Sequence, residues 1–259
     1  MYIIESIICK GKRSFMKLIK IPEDKYYEYK IKAMFDCYKW DPQFCDSNTL
    51  SKHILILTKK ENEEIIKLTK SLDKETRLAE EYINKNIKIA KKLALPKKIL
   101  EQIPNMQNYD KNQNIRLMRY DFHPSTDNNW VVTEVNSDCP GGFAESSLLP
   151  DIARKTIDRL ELEYDSFGEK MVEAINNKLN KKGTIMMVHC TCFSDDRQVM
   201  QYLGDRLEKE GYKIIYGAAD HIRFKEKKAY CILDNNKESI DLIFRFTPLV
   251  WLIQMKPRR

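Results

Sequence analysis

Arg119-Tyr120-Asp121-Phe122, the run His123-Pro124-Ser125-Thr126-Asp127-Asn128-Asn129, and Trp130-Val131-Val132-Thr133-Glu134-Val135-Asn136 decide the reading of this chain. Residues 115–122 are apolar-rich yet carry Arg119 and Asp121, residues 123–129 are turn formers, and residues 130–135 are β-branched and aromatic. That pattern predicts two short strands joined by a turn. Side chains alternate along a strand, so Arg119 and Asp121 share one face, and Glu134 and Asn136 share one face. Pairing as a hairpin brings together two carboxylates, an amide oxygen and a guanidinium. Magnesium takes one or two carboxylates together with phosphate and water oxygens, and a guanidinium holds phosphate through paired hydrogen bonds. Asp121, Glu134 and Asn136 are therefore candidate metal ligands, and Arg119 is a candidate phosphate clamp. A surface hairpin closed by a cross-strand Arg–Glu pair fits the same spacing.

Downstream, Asn136-Ser137-Asp138-Cys139-Pro140-Gly141-Gly142 reads as a tight turn. Residues 143–149 look helical, and Pro150 starts or interrupts another segment. Residues 167–179 form an amphipathic helix that Gly183 ends, and residues 184–189 a buried strand. Ser194 caps a helix that runs to Glu210, with Gly211 just beyond. Residues 212–216, 230–233 and 240–246 are further strand candidates. Strand, helix and strand in that order predict a βαβ unit with a right-handed crossover. Upstream, a helix is expected over residues 13–38, broken by the proline of the segment 40–43. A short strand follows at 53–57. Residues 61–95 carry apolar side chains at helical spacing, giving one long helix or two shorter ones with Pro96 as the stop, and residues 97–103 add a further turn or two. The expected class is α/β, or α+β, divided into a mainly helical portion at 1–114 and an α/β portion at 115–259.

Composition narrows the function classes. A chain of 259 residues with 42% hydrophobic and 32% charged residues can hold a sizeable core. Its net charge of +7 comes from lysines interspersed with acids rather than set in a stripe. With no helix-turn-helix, zinc-finger or RNA-binding signature, nucleic acid is not the expected partner. Seven cysteines, an odd count without a dense framework, fit free thiols and a cytoplasmic setting. His189-Cys190-Thr191-Cys192 lacks a second Cys/His pair at zinc spacing and reads as alternating positions at a strand end. The apolar opening 1–9 is too short to span a membrane and has no cleavage pattern. His123 and His221 receive no role.

Arg-x-Asp-Phe at 119–122, the turn, then Glu-x-Asn-x-Asp-x-Pro at 134–140 followed by Glu145 resemble the glutathionylspermidine synthase family. The segments Lys39-Trp40-Asp41-Pro42-Gln43 and Arg245-Phe246-Thr247-Pro248-Leu249-Val250-Trp251 are similar to landmarks of that family. The resemblance implies a permuted ATP-grasp ligase, with the metal-binding strands ahead of a lysine-bearing nucleotide lobe. The sequence stops at Arg259 before that lobe, so the expectation is a chain that is cut short or completed by a partner chain, with an incomplete, pre-ATP-grasp architecture. The resemblance further implies ATP and Mg2+ as cofactors. Arg119 and Asp121 would contact ATP, with Arg119 steadying the transferred group, and Asp121, Glu134 and Asn136 would hold the metal. The implied reaction joins a peptide or amino-acid carboxylate to an amine through an acyl phosphate. A non-catalytic nucleotide- or peptide-binding remnant, or a subunit completed by a partner chain, are the alternatives. Cys139 and Gly141 fall in the substrate-contacting loop, where the family carries a small hydroxyl residue, so glutathione itself is not implied. Asp195 and Asp196 match a pair of acids that binds the amino end of the substrate peptide, a suitable partner for an ammonium group. Simple charge–dipole capping of the helix accounts for the same two acids.

Overall fold

A computed structural model describes residues 16–105, 116–127, 129–158, 160–180, 182–233 and 236–254. The expectations for the opening 1–9, for residues 13–15 of the first helix, for the boundary at 114/115 and for the tail 255–259 lie outside the described residues.

The chain begins β1 (Lys17–Lys20), α1 (Glu23–Phe35), β2 (Gln43–Phe44), β3 (Ser47–Asn48), β4 (His53–Ile56), α2 (Lys59–Lys85), α3 (Ile87–Lys92) and α4 (Lys97–Leu100). The hairpin β5 (Arg119–Pro124) and β6 (Trp130–Asn136) follows, then α5 (Phe143–Thr156) and α6 (Phe167–Leu179). The remainder is β7 (Thr184–His189), α7 (Ser194–Lys209), β8 (Lys213–Gly217), β9 (Ile222–Lys225), β10 (Lys228–Leu233), β11 (Asn236–Ile240), β12 (Leu242–Phe246) and α8 (Leu249–Leu252). The class is mixed α/β, as the sequence implies.

β7 organises the fold. It pairs in parallel with β8 on one side and β12 on the other, and all six of its residues are buried. A strand covered on both faces loses the polar alternation of a half-exposed strand. Ile185 and Met187 join a core shared with α1, α5, α6 and α7, while Met186 and Val188 meet Cys231 and Ile240 of the antiparallel meander β9–β10–β11. The first core also contains Ile21, Tyr29, Ala33, Cys37 and Leu50, so α1 packs directly on α5. Among the described residues, no helix is long and apolar enough to cross a membrane.

Several local expectations change. Residues 17–20 are a strand paired with β4 rather than helix, and α1 starts only after Pro22, whose ring sets the entry angle. The region 61–95 is two helices, the second of the two expected forms, parted at Asn86, and α3 ends before Pro96, with Ala94 left-handed at φ 53°. Pro96 opens α4 instead. α5 runs through Pro150 without ending. Proline in a helix interior costs about 3 kcal/mol, but α5 buries Leu149, Ile152 and Ala153 around it. Fully burying each large aliphatic side chain stabilises by about 1.5–3 kcal/mol, so packing outweighs the lost hydrogen bond. Asn180, left-handed at φ 52°, ends α6. Gly183 has another duty: at φ 134° it leads into β7, where an added Cβ would lie 2.8 Å from the Asp241 carboxylate. Ser194 is the first residue inside α7, which begins after Phe193 without a side-chain cap. The small hairpin β2–β3 and the strand β11 carry too little apolar alternation to announce themselves, and β9, though it alternates, is only four residues long.

Candidate functional site

The hairpin forms as the sequence predicts. Arg119 lies opposite Asn136 and Asp121 opposite Glu134, with a register shift between Asp121 and Phe122 that leaves Thr133 unopposed. Directly opposed residues project to the same face, so all four candidate side chains share one face at the open end of the hairpin. Arg119 places Nε 2.7 Å from Oδ1 and Nη2 3.0 Å from Oδ2 of Asp121, a two-pronged fork. The Asn136 amide nitrogen donates to Asp121 Oδ2 at 3.3 Å. The Asp121 side chain is only 8% exposed, whereas Glu134 is exposed and its side chain makes no hydrogen bond among the described residues.

The same guanidinium reaches further. Arg119 Nη1 donates to the carbonyl of Gly141 at 3.3 Å. Gly141 rests on the carboxyl end of β12 and on α7, its Cα direction facing Phe246 and Val199. Gly142 takes φ 88°, a left-handed conformation suited to glycine, and so turns the chain into α5. The loop is fastened on its other side by Asp138, which pairs with Arg245 at 2.5 Å and accepts from the backbone N–H of Leu249 at 2.9 Å. Arg245 also donates to the carbonyl of Thr247 and has Nη1 4.0 Å from Cys139 Sγ.

The three segments that carry the family resemblance therefore meet. Lys39 pairs with Glu145 at 3.4 Å, and the Trp40 N–H donates to Gln198 of α7 at 3.1 Å. They gather beyond the carboxyl ends of β7 and β12. The chain leaves β7 toward β8 on one side and later returns to β12 on the other, so the strand order β12-β7-β8 reverses direction there. In open α/β sheets, ligands bind in the crevice at such a switch point.

Electrostatics divide this region. Burial pushes the Cys139 thiol up to about 11, with Asp138 adding to it and Arg245 opposing. Cys139 is thus a neutral thiol near pH 7 rather than a nucleophile. Burial also raises Asp196, against the pull of the Cys190 N–H, 3.3 Å from its Oδ2, and of His189. His189 is buried, lowered chiefly by desolvation, with Nδ1 3.2 Å from the Met187 carbonyl. Asp195 is exposed at the start of α7. The Thr247 hydroxyl is buried with no hydrogen-bond partner among the described residues.

Of the residues named from sequence, Arg119, Asp121, Glu134, Asn136 and Gly141 are brought together, Cys139 and Asp196 lie at the strand ends beside them, and Asp195 faces solvent. Asp138, Thr247 and the site role of Arg245 were not assigned from sequence. The signal for Arg245 and Thr247 was the segment 245–251, whose polar residues border an apolar strand end, and that for Asp138 was the motif at 134–140. Among the described residues, no group of three or more His, Cys, Asp or Glu side chains forms a metal cage. Two carboxylates and an amide, all hard oxygen donors, nonetheless fit magnesium, which completes its shell with phosphate and water.

Residues 29–257 match the family described as Glutathionylspermidine synthase preATP-grasp. A comparison with curated proteins returned no match. With nearly the whole chain covered, the protein belongs to the glutathionylspermidine synthase pre-ATP-grasp family, that of an ATP-dependent, amide-forming ligase.

Proposed function

We propose that this member of the family binds magnesium and the phosphates of ATP at the β5–β6 hairpin and serves the ligation of a carboxylate to an amine. One observation carries the reading: the Arg119 guanidinium forks onto Asp121 and also holds Gly141, joining the oxygen-rich hairpin to the loop at the strand ends. Asp121, Glu134 and Asn136 would hold Mg2+, with the Asn136 amide turned to present its oxygen. The bound ion would neutralise phosphate charge as it develops. Arg119 orients the transferred phosphoryl group through its planar N–H donors.

The chain's own groups beyond β7 and β12 would then receive the substrate. Asp196, with Asp195 beside it, accepts an ammonium group. Cys139 and Gly141 line the loop, and the Thr247 hydroxyl offers a buried hydrogen bond. In the reaction, a substrate carboxylate oxygen attacks the γ-phosphorus and ADP leaves. The amine nitrogen next attacks the acyl carbon, and phosphate departs, with the proton released from the nitrogen, as the amide forms. Such an intermediate needs a closed site that excludes water. Phosphate release from Mg·ATP, measured with a panel of peptides and amines, tests this reading. Release that requires one carboxylate and one amine together is expected. No release with any pair, in a protein that still binds Mg·ATP, would leave a binding domain and remove the ligase.

A further inference from the structure

We propose that Cys190 and Cys192 are a thiol–disulfide pair, which closes a reversible intrachain disulfide by exchange with small-molecule disulfides. The two Sγ atoms are 3.3 Å apart in the turn between β7 and α7. Cys192 is exposed and Cys190 half-buried, so a small reagent reaches them. A disulfide requires about 2.05 Å between sulfurs, so bond formation brings the two atoms about 1.3 Å closer than their 3.3 Å contact. No other pair of thiols makes contact among the described residues. Cys37 and Cys231 are buried, Cys45 sits alone in the turn between β2 and β3, and Cys139 is partly buried beside Arg245.

The exchange balances without a further reagent. The Cys190 thiolate attacks one sulfur of R–S–S–R and releases RS⁻, giving a mixed disulfide. The Cys192 thiolate then attacks Cys190 Sγ, forms the Cys190–Cys192 bond and releases the second RS⁻. The two cysteine protons end on two RSH molecules, so the dithiol is oxidised and the reagent reduced by two electrons. The mutual contact of the two thiols raises Cys190 above the ordinary thiol range. Capture therefore runs on a small thiolate fraction, while ring closure gains from the high effective concentration of its neighbour. The Cys190 N–H donates to Asp196, which sets this oxidisable group beside the proposed amine-binding acid.

The test equilibrates the full chain in buffers of 2-mercaptoethanol and 2-hydroxyethyl disulfide, followed by acid quench, alkylation and tryptic mass mapping. The peptide 183–197 contains Cys190 and Cys192 and no other cysteine. In oxidising buffer it is expected unalkylated and two hydrogens lighter than the dithiol, and in excess thiol with both cysteines alkylated. Cys192→Ser, a change at an exposed site, is expected to leave one mercaptoethanol adduct on Cys190. Recovery of wild-type peptide with two free thiols, or with two separate adducts, would overturn the proposal. The readout is independent of ATP, magnesium and ligase activity, so its outcome does not depend on the reading above.

Discussion

Arg119 divides its guanidinium between a carboxylate and a backbone carbonyl, and its planar shape is what permits both. Lysine keeps the charge but not the fork. Arg119→Lys is expected to weaken Mg·ATP binding about tenfold, roughly 1.4 kcal/mol, with the thermal midpoint little changed. Titration calorimetry and a melting curve together check this. Asp196 differs, because burial holds its carboxyl above the usual range. Below that raised value the acid is neutral and no longer attracts an ammonium group. Affinity for a peptide with a free amino end should therefore fall as pH drops, and should begin to fall at a higher pH than an exposed aspartate would allow. Asp196→Asn is expected to be weak at every pH and to flatten this limb. A pH-independent wild type would remove Asp196 from the amine site.

At the scale of elements, α2 is held at its start by a reciprocal cap. Thr58 Oγ1 accepts from the Glu61 N–H at 3.2 Å, while the Glu61 carboxylate accepts from the Thr58 N–H at 2.7 Å and the Met16 N–H at 3.0 Å. Burial works against the charge on Glu61, but these donors outweigh it and hold the carboxyl below its ordinary value. A depressed native value stabilises the fold above the unfolded carboxylate value of about 4.3, and that stability is lost as pH falls through the native value. Glu61→Gln is expected to cost about 1–2 kcal/mol at neutral pH, a gap that narrows below pH of about 4; urea denaturation at both pH values measures it. α7 meets β8 with equal closeness. A Cβ at Gly204 would lie 2.0 Å from the buried Tyr216 hydroxyl, and the Tyr216 ring is covered by Arg197 at 3.9 Å. In a free helix alanine would gain about 1 kcal/mol over glycine. Overpacking costs about 1–3 kcal/mol, so Gly204→Ala is expected to destabilise in a denaturant titration. The elements legible in the sequence, β5, β6, α6 and β7, signal themselves within one short window. β1 and β11 do not: Lys17–Lys20 becomes a strand only because His53–Ile56 lies beside it, more than thirty residues away.

For the whole molecule, the same distinction separates what the sequence revealed of the site from what it hid. Arg119, Asp121, Glu134 and Asn136 stand on two adjacent strands, so alternation alone gathers them. Asp138, Arg245 and Thr247 join only through the strand order β12-β7-β8, a long-range property with no local pattern. The structure is also unevenly anchored. β7 is buried along its length and paired on both sides. The hairpin is a two-stranded sheet, an arrangement that is marginal by itself. It is held from outside by Arg119 at Gly141, by Arg116 at Asp73 (3.1 Å) and by the contact of Tyr120 with Thr76. Hydrogen exchange should therefore be slowest in β7 and faster in β5 and β6, and Mg·ATP should slow the hairpin selectively. The most direct test of the central claim is calorimetric titration of Mg·ATP, with and without magnesium, into the wild type, Asp121→Ala and Glu134→Ala. Magnesium-dependent binding that each substitution weakens at least tenfold is predicted. Equal binding by all three proteins, or binding indifferent to magnesium, would contradict it.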